Sequence, residues 1–419
     1  MPTVSSITKS NSPLDGEMLR ISCNVIFEGS SPEILWIDYP VHLDQFLDGG
    51  GNPWVIMLLP NAVARGEPLN IDLPVDSRLL ENLRGVQQVW ASWYDWANPV
   101  KITARTDGAY PRNAAEREKA AALFFTGGVD SSFSLIQCIS HRNSTAAKRN
   151  LSLISILGFD IAIENKPEFE KVISLCDGVA LKTGSKCIAL MTNLRSLDGY
   201  KKHWGPLSHG AALAGIGHLF SGKFDKLFIG STHDYSHLHP WGSHPLVDPL
   251  FSSADLEVVH DGATFTRVEK TAAILGDVNI ASRLRVCYKK RAASNCSECS
   301  KCLRTMATID LLGKKELATS FDWNKYSLEK VANVYLANDA DVNFFLEIRD
   351  EAIKRGRTDL LSAVEYSLAK SRRIRFLSSI FPSKIRVFQI FDNILDAVSR
   401  VPFLWRLVNP IRRLIIRLR

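Results

Sequence analysis

Ala121-Ala122-Leu123-Phe124-Phe125-Thr126-Gly127-Gly128-Val129-Asp130-Ser131-Ser132 is the stretch on which the fold turns. Its first five residues read as a buried strand, the paired glycines as a tight turn, and the following SSFSLIQCIS as a helix that starts at once. Two glycines let backbone N–H groups approach an anion closely. Ser131 and Ser132 stand at the helix start, where the dipole and free N–H groups favour phosphate. Thr126 adds a hydroxyl donor. Asp130 would repel a phosphate, unless it also binds a Mg2+ that bridges to the phosphate oxygens. There is no G-x-x-x-x-G-K-[ST], so this is not the usual nucleoside-triphosphatase loop. A plain strand–helix turn is the competing reading, but strand, T-G-G-x-D-S-S and helix in that order favour phosphate.

Outward from this loop, strand and helix patterns alternate. LSLISILGF, CIALMTNL and KLFIGST read as buried strands, and PEFEKVISLC and HGAALAGIGHLF as helices. That alternation predicts an α/β domain over 119–312, with a parallel sheet covered by helices on both faces. Ligands of such sheets lie beyond the carboxyl ends of strands. Gly158-Phe159-Asp160 and Gly230-Ser231-Thr232 occupy two such ends. Residues 1–105 read as a separate β-rich domain: Leu19 to Phe27 alternate with period two, and WVIMLL at 54–59 and the Trp90/Trp93/Trp96 stretch add strand-like runs. Five of the nine tryptophans precede residue 100 and are read as core rather than as a sugar-binding face. TDGAYPRNAAERE, 106–118, reads as a linker, 313–370 as a helical extension and 371–419 as a basic tail.

Eight cysteines are present, and Cys287, Cys296, Cys299 and Cys302 crowd into 16 residues. A C-x2-C turn presents two sulfurs to one ion, and tetrahedral zinc takes four thiolates at about 2.3 Å. An iron–sulfur cluster is the competitor. A closed four-cysteine site has no open position, so zinc here would be structural. Lys289, Lys290, Arg291, Lys301 and Arg304 would offset the thiolate charge.

In its loop the sequence resembles the PP-loop ATP pyrophosphatase superfamily (adenine nucleotide alpha hydrolase-like), whose signature is S-G-G-x-D-S; Thr126 replaces the first serine. Val286-Cys287-Tyr288 and Cys296-Ser297-Glu298-Cys299-Ser300-Lys301-Cys302 narrow the likeness to the 7-cyano-7-deazaguanine synthases of queuosine biosynthesis, over 120–312 alone. The resemblance implies a Rossmann-like PP-loop/HUP sheet and an ATP-dependent ligase. That enzyme would adenylate a carbonyl or carboxylate oxygen, release pyrophosphate, and let a nitrogen nucleophile displace AMP. By the same likeness Thr126, Gly127, Gly128, Val129, Asp130, Ser131 and Ser132 hold the pyrophosphate portion of ATP, Gly158, Phe159 and Asp160 face adenosine, and Lys270 contacts phosphate. Asp130, Lys270 and Arg267 are the candidate catalytic residues; the competing reading of Arg267 and Lys270 is as helix-surface charges. Sugar or peptide amidation in surface-polysaccharide synthesis, tRNA thiolation, and a non-catalytic nucleotide-sensing module of a defence system are the alternatives. The deazapurine substrate does not carry over, because the purine-site residues are not visible and the front and tail are additions.

His233, His237, His239 and His244 fall in one loop beyond Gly230, with His203 and His209 nearby. They are candidates for substrate contact or acid–base work, for a second metal, or for loop packing. The formal charge is +7, yet residues 371–419 alone carry 11 Lys/Arg against 2 Asp/Glu. The remaining 40 Lys/Arg and 42 Asp/Glu nearly balance, which argues against nucleic acid as the partner. From Ile411, Leu414, Ile415 and Leu418 share one helical face and Arg412, Arg413, Arg417 and Arg419 lie mostly on the other. That pattern suits an anionic membrane surface or an acidic protein, or a terminal helix docked on the core. With no signal peptide and no apolar run of 18 residues, the expected place is the cytoplasm, with the tail at the inner membrane surface. ATP, an acceptor and a second copy of the chain are the expected partners.

Overall fold

The computed structural model describes residues 3–4, 7–106, 120–144, 150–287 and 293–380. Nearly all of the expected linker, Tyr288 to Arg291, and the tail from 381 (with its amphipathic stretch) lie outside the described residues.

The front segment holds β1 (Thr3–Val4), β2 (Ile7–Asn11), β3 (Met18–Val25), β4 (Glu33–Pro40), α1 (Asn52–Arg65), β5 (Leu69–Pro74), α2 (Ser77–Trp93) and β6 (Ile102–Arg105). The middle follows with β7 (Ala120–Phe124), α3 (Val129–Ser144), β8 (Asn150–Leu157), α4 (Lys166–Thr183), β9 (Lys186–Thr192), α5 (Tyr200–His203), α6 (His209–Leu219), β10 (Lys226–Gly230), β11 (Glu257–Asp261), α7 (Arg267–Ile274), α8 (Val278–Ala281) and α9 (Ser300–Leu311). The chain closes with α10 (Leu328–Ala332), α11 (Asp339–Lys354) and α12 (Thr358–Ile380).

Eight strands form one sheet in the order β11-β10-β7-β8-β9-β4-β3-β2. The first five are parallel. From β7 the chain adds β8 and β9 on one side and later β10 and β11 on the other. The order therefore reverses at β7, and the loops leaving β7 and β10 lie side by side there. Such a reversal opens a crevice at the carboxyl edge of a parallel sheet, where ligands bind.

The front segment departs from the expected separate β-rich domain. Its strands continue the central sheet: β4 pairs antiparallel with β9, placing Ile37 opposite Thr192 and Asp38 opposite Met191, and β3 and β2 follow antiparallel. β1, β5 and β6 make a second, three-stranded sheet. WVIMLL is not a strand but the centre of α1, in which every residue from Asn52 to Val63 is buried. An unbroken apolar run fits a buried strand and a buried helix equally well. The length, Pro53 in the first turn and Gly66 at the C-terminus decide for the helix. The Trp90/Trp93 pair also lies on a helix, α2, begun by Asp76 accepting from the Leu79 N–H at 2.8 Å. A spacing of three is a helical spacing. Of the five tryptophans expected in the core, Trp54 and Trp90 are fully buried, Trp36 and Trp93 are half-buried, and Trp96 is exposed.

One apolar core runs from Val4 through the front segment to Val258. A second, on the other face, includes Leu123, Leu153, Cys287, Cys299 and Cys302, and a third packs α9 among α10, α11 and α12. Both sheet faces are covered, which explains strands that are apolar on both sides. Among the described residues no helix is long and apolar enough to cross a membrane.

Candidate functional site

Strand β7 ends at Phe124, the chain turns through Thr126, Gly127 and Gly128, and α3 begins at Val129. Gly127 has φ +74°, a left-handed conformation that favours glycine. Its carbonyl accepts from the Arg285 N–H at 2.8 Å, so the segment after α8 braces the turn. The Ser132 N–H donates to the Gly128 carbonyl at 2.9 Å, and the Ser131 hydroxyl donates to the same carbonyl at 3.3 Å. Ser132 Oγ is buried and has no hydrogen-bond partner. The serines thus stand in the first turn of α3, as the sequence predicts.

Gly230 ends β10 directly against this turn: a Cβ there would lie 3.0 Å from the Asp130 carbonyl and 3.2 Å from the Ser131 nitrogen. Gly158, with φ +104°, directly follows β8. Beyond it, Phe159 meets Trp204 edge to face with ring centres 4.8 Å apart. Phe159, Asp160, Trp204, His209, Thr126 and Arg285 help line an open cleft of about 170 Å³. That is smaller than most small-molecule sites, but the mix of apolar walls with a few polar groups is typical of them.

Arg267 and Lys270 are not surface charges. Arg267 Nη2 donates to both Asp130 oxygens, at 3.0 and 2.9 Å. Lys270 is 1% exposed, and its ammonium donates to the Ser231 carbonyl at 2.6 Å. Helix α7, which carries both, is fixed by a capping box between Thr266 and Glu269. Burial opposes the Asp130 charge, but Arg267 and Lys270 outweigh it and hold the carboxyl below the usual range. Asp130 offers the hard oxygens that Mg2+ takes. Both are engaged by Arg267, so this ion pair and a metal at Asp130 are alternatives.

The four cysteines converge, one ligand atom from each lying within 4.8 Å of the others. Cys287 Sγ is 3.9 Å from Cys299 Sγ, and Cys296 Sγ is 3.9 Å from Cys302 Sγ. Tetrahedral Zn–S bonds of about 2.3 Å set sulfurs about 3.8 Å apart, so the set could hold a metal ion such as zinc. Asn295 ties the two halves together: its Oδ1 accepts from the Val286 and Cys287 N–H groups at 2.9 and 3.2 Å. Arg304, expected to balance the thiolates, instead lies over the Phe344 ring at 4.0 Å and pairs with Asp341 at 3.5 Å.

The histidines divide. His233 is 8% exposed, stacks on Phe344 and touches His239. Burial, then the charges of His239 and Arg267, push its pKa down to about 3, so it is neutral at pH 7. His244 packs on Trp93, and burial lowers it to about 4. His209 lines the cleft, and His203 packs on Trp96. His237, Asp234 and Glu347 place ligand atoms within 4.8 Å of one another.

Arg285, Phe344 and Glu347 are participants that sequence reasoning missed. Glu347 accepts from the Arg267 and Val268 N–H groups at 2.7 and 3.3 Å and so holds the start of α7. No spacing rule links positions this far apart along the chain; only the proximity of Arg285 to Cys287 hinted at a role. Comparison of the chain with family models, curated proteins and solved structures finds no match.

Proposed function

We propose that the protein is an ATP-dependent, AMP- and pyrophosphate-forming ligase of the PP-loop type, built on a Rossmann-like sheet. An acceptor oxygen attacks the α-phosphorus of ATP, the bond to the bridging oxygen breaks, and pyrophosphate leaves with the electron pair. A nitrogen nucleophile then attacks the activated carbon, AMP departs with the oxygen, and the nitrogen loses a proton. The catalytic task is positioning and charge stabilisation. Thr126, the glycine turn and the first N–H groups of α3 receive the pyrophosphate portion, Arg267 and Lys270 supply cationic charge beside it, and Phe159 and Trp204 offer apolar faces to adenine. Mg2+ would enter with the triphosphate, with Asp130 as the loop's own carboxylate to meet it. Zinc at the four cysteines would hold the end of the domain together.

One observation carries this reading: the T-G-G-x-D-S-S turn lies at the strand-order reversal, with two basic residues of α7 converging on it. The test is product identity. The purified chain with ATP, Mg2+, ammonium and a panel of carboxylate and carbonyl acceptors should yield AMP and pyrophosphate with the acceptor it activates, and Asp130→Asn should lower that rate by about 100-fold or more. Release of ADP and phosphate would refute it.

A further inference from the structure

Helix α9 starts inside the four-cysteine centre. Cys299 is its N-cap residue, yet the side chain makes no capping hydrogen bond; its sulfur belongs to the cluster instead. The cluster therefore sets the start of a helix whose first turns carry Lys301 and Arg304. Arg304 is 5% exposed. Its guanidinium carbon lies 4.0 Å from the Phe344 ring centre, and that of Arg267 lies 4.6 Å from the same centre. Two like charges thus share one ring, one of them bonded to Asp130 of the phosphate loop. Arg304 Nε and Arg267 Nε are both buried N–H donors with no acceptor among the described residues. Such donors are rare in folded proteins and call for a missing partner. Among the described residues, the one ion pair of Arg304, at 3.5 Å, goes to an Asp341 carboxylate that is 29% exposed. One buried and one largely buried cation, each with a spare donor, beside a phosphate loop form a ready-made receptor for a doubly charged anion.

We infer that Arg304, acting with Arg267, binds the second phosphate of a pyrophosphate group whose first phosphate sits at Thr126–Ser132. The four-cysteine turn then serves as the bracket that delivers Arg304. This rests on the reading of that turn as a phosphate loop.

The test is calorimetric titration of the full chain with inorganic pyrophosphate and, separately, with inorganic phosphate. Arg304→Gln should weaken pyrophosphate binding by about 10- to 100-fold, the range expected for lost charge-assisted hydrogen bonds. It should leave phosphate binding within about threefold. Arg304→Lys, which keeps the charge but not the fork, should fall between, and it serves should the glutamine variant not fold. Unchanged pyrophosphate affinity in both variants would overturn the inference while leaving the loop reading intact. Equal loss of both anions would also overturn it, because Arg304 would then be shaping the loop. If the unaltered chain binds neither anion, the phosphate-loop reading itself fails and the inference with it.

Discussion

Replacing Gly158 by alanine tests how the cleft wall is built. With φ +104°, a Cβ at this position would lie 1.9 Å from the Thr192 carbonyl oxygen and 3.0 Å from its carbon. Comfortable carbon–oxygen contact begins near about 3.3 Å, so the ends of β8 and β9 would have to part by about 1.4 Å. Both partners are backbone, and no rotamer can relieve the overlap. Positive φ alone costs an alanine about 1–2 kcal/mol, and forcing atoms into a packed site adds about 1–3 kcal/mol. The sum is about 2–5 kcal/mol. Gly66 supplies the control: φ is +69° and a Cβ there would meet no atom within 4 Å, so its alanine variant bears the first term only. Urea unfolding of the two variants against the unaltered chain, read as midpoint shifts at constant slope, should show Gly158→Ala as the less stable by at least about 1 kcal/mol. Equal stability of the two variants would refute the reasoning.

Three further outcomes are expected. Metal analysis of the purified chain should find one zinc per molecule without visible absorption of an iron–sulfur type; Cys299→Ser should lose it and lower the melting temperature, whereas Cys138→Ser should retain it. Acidification should destabilise the fold through His233: its folded pKa of about 3 lies below the ordinary value of 6.5, so between those limits the unfolded chain binds more protons. The penalty is absent above about pH 6.5, grows as pH falls toward 3, and should be smaller in His233→Asn when stability is measured at pH 7 and pH 5. Lys270→Met should reduce ATP turnover, because it removes a buried cation beside Asp130 while nearly preserving volume; an unchanged rate would remove Lys270 from the site.

The parts legible in the sequence were those whose causes are local. The T-G-G-x-D-S-S turn, each strand from β7 to β10 and the cysteine spacing state their geometry within at most 16 residues. WVIMLL misled because an apolar run buried on every side carries no period, and only Pro53 and Gly66 marked it as helical. The pairing of β4 with β9 was invisible, since nothing near Ile37 names Thr192 as its neighbour. Arg267 and Lys270 read equally well as site cations and as ordinary helix charges until the fold placed them against Asp130 and Ser231, and Arg304 looked like a companion of the thiolates until α9 turned it toward Phe344.

The union of β4 with β9 imposes a schedule on synthesis. Leu35, Ile37 and Tyr39 belong to a core whose other contributors include Leu190, Ala211 and Ile216, and α1 packs on α6. At about 5–20 residues per second a ribosome needs about 8–30 s to travel from β4 to the end of β9. For that interval the mostly apolar α1 lacks α6 and the outward edge of β4 lacks β9. The front of this chain is thus born waiting, and its exposure to holdase chaperones should peak before residue 220 leaves the exit tunnel.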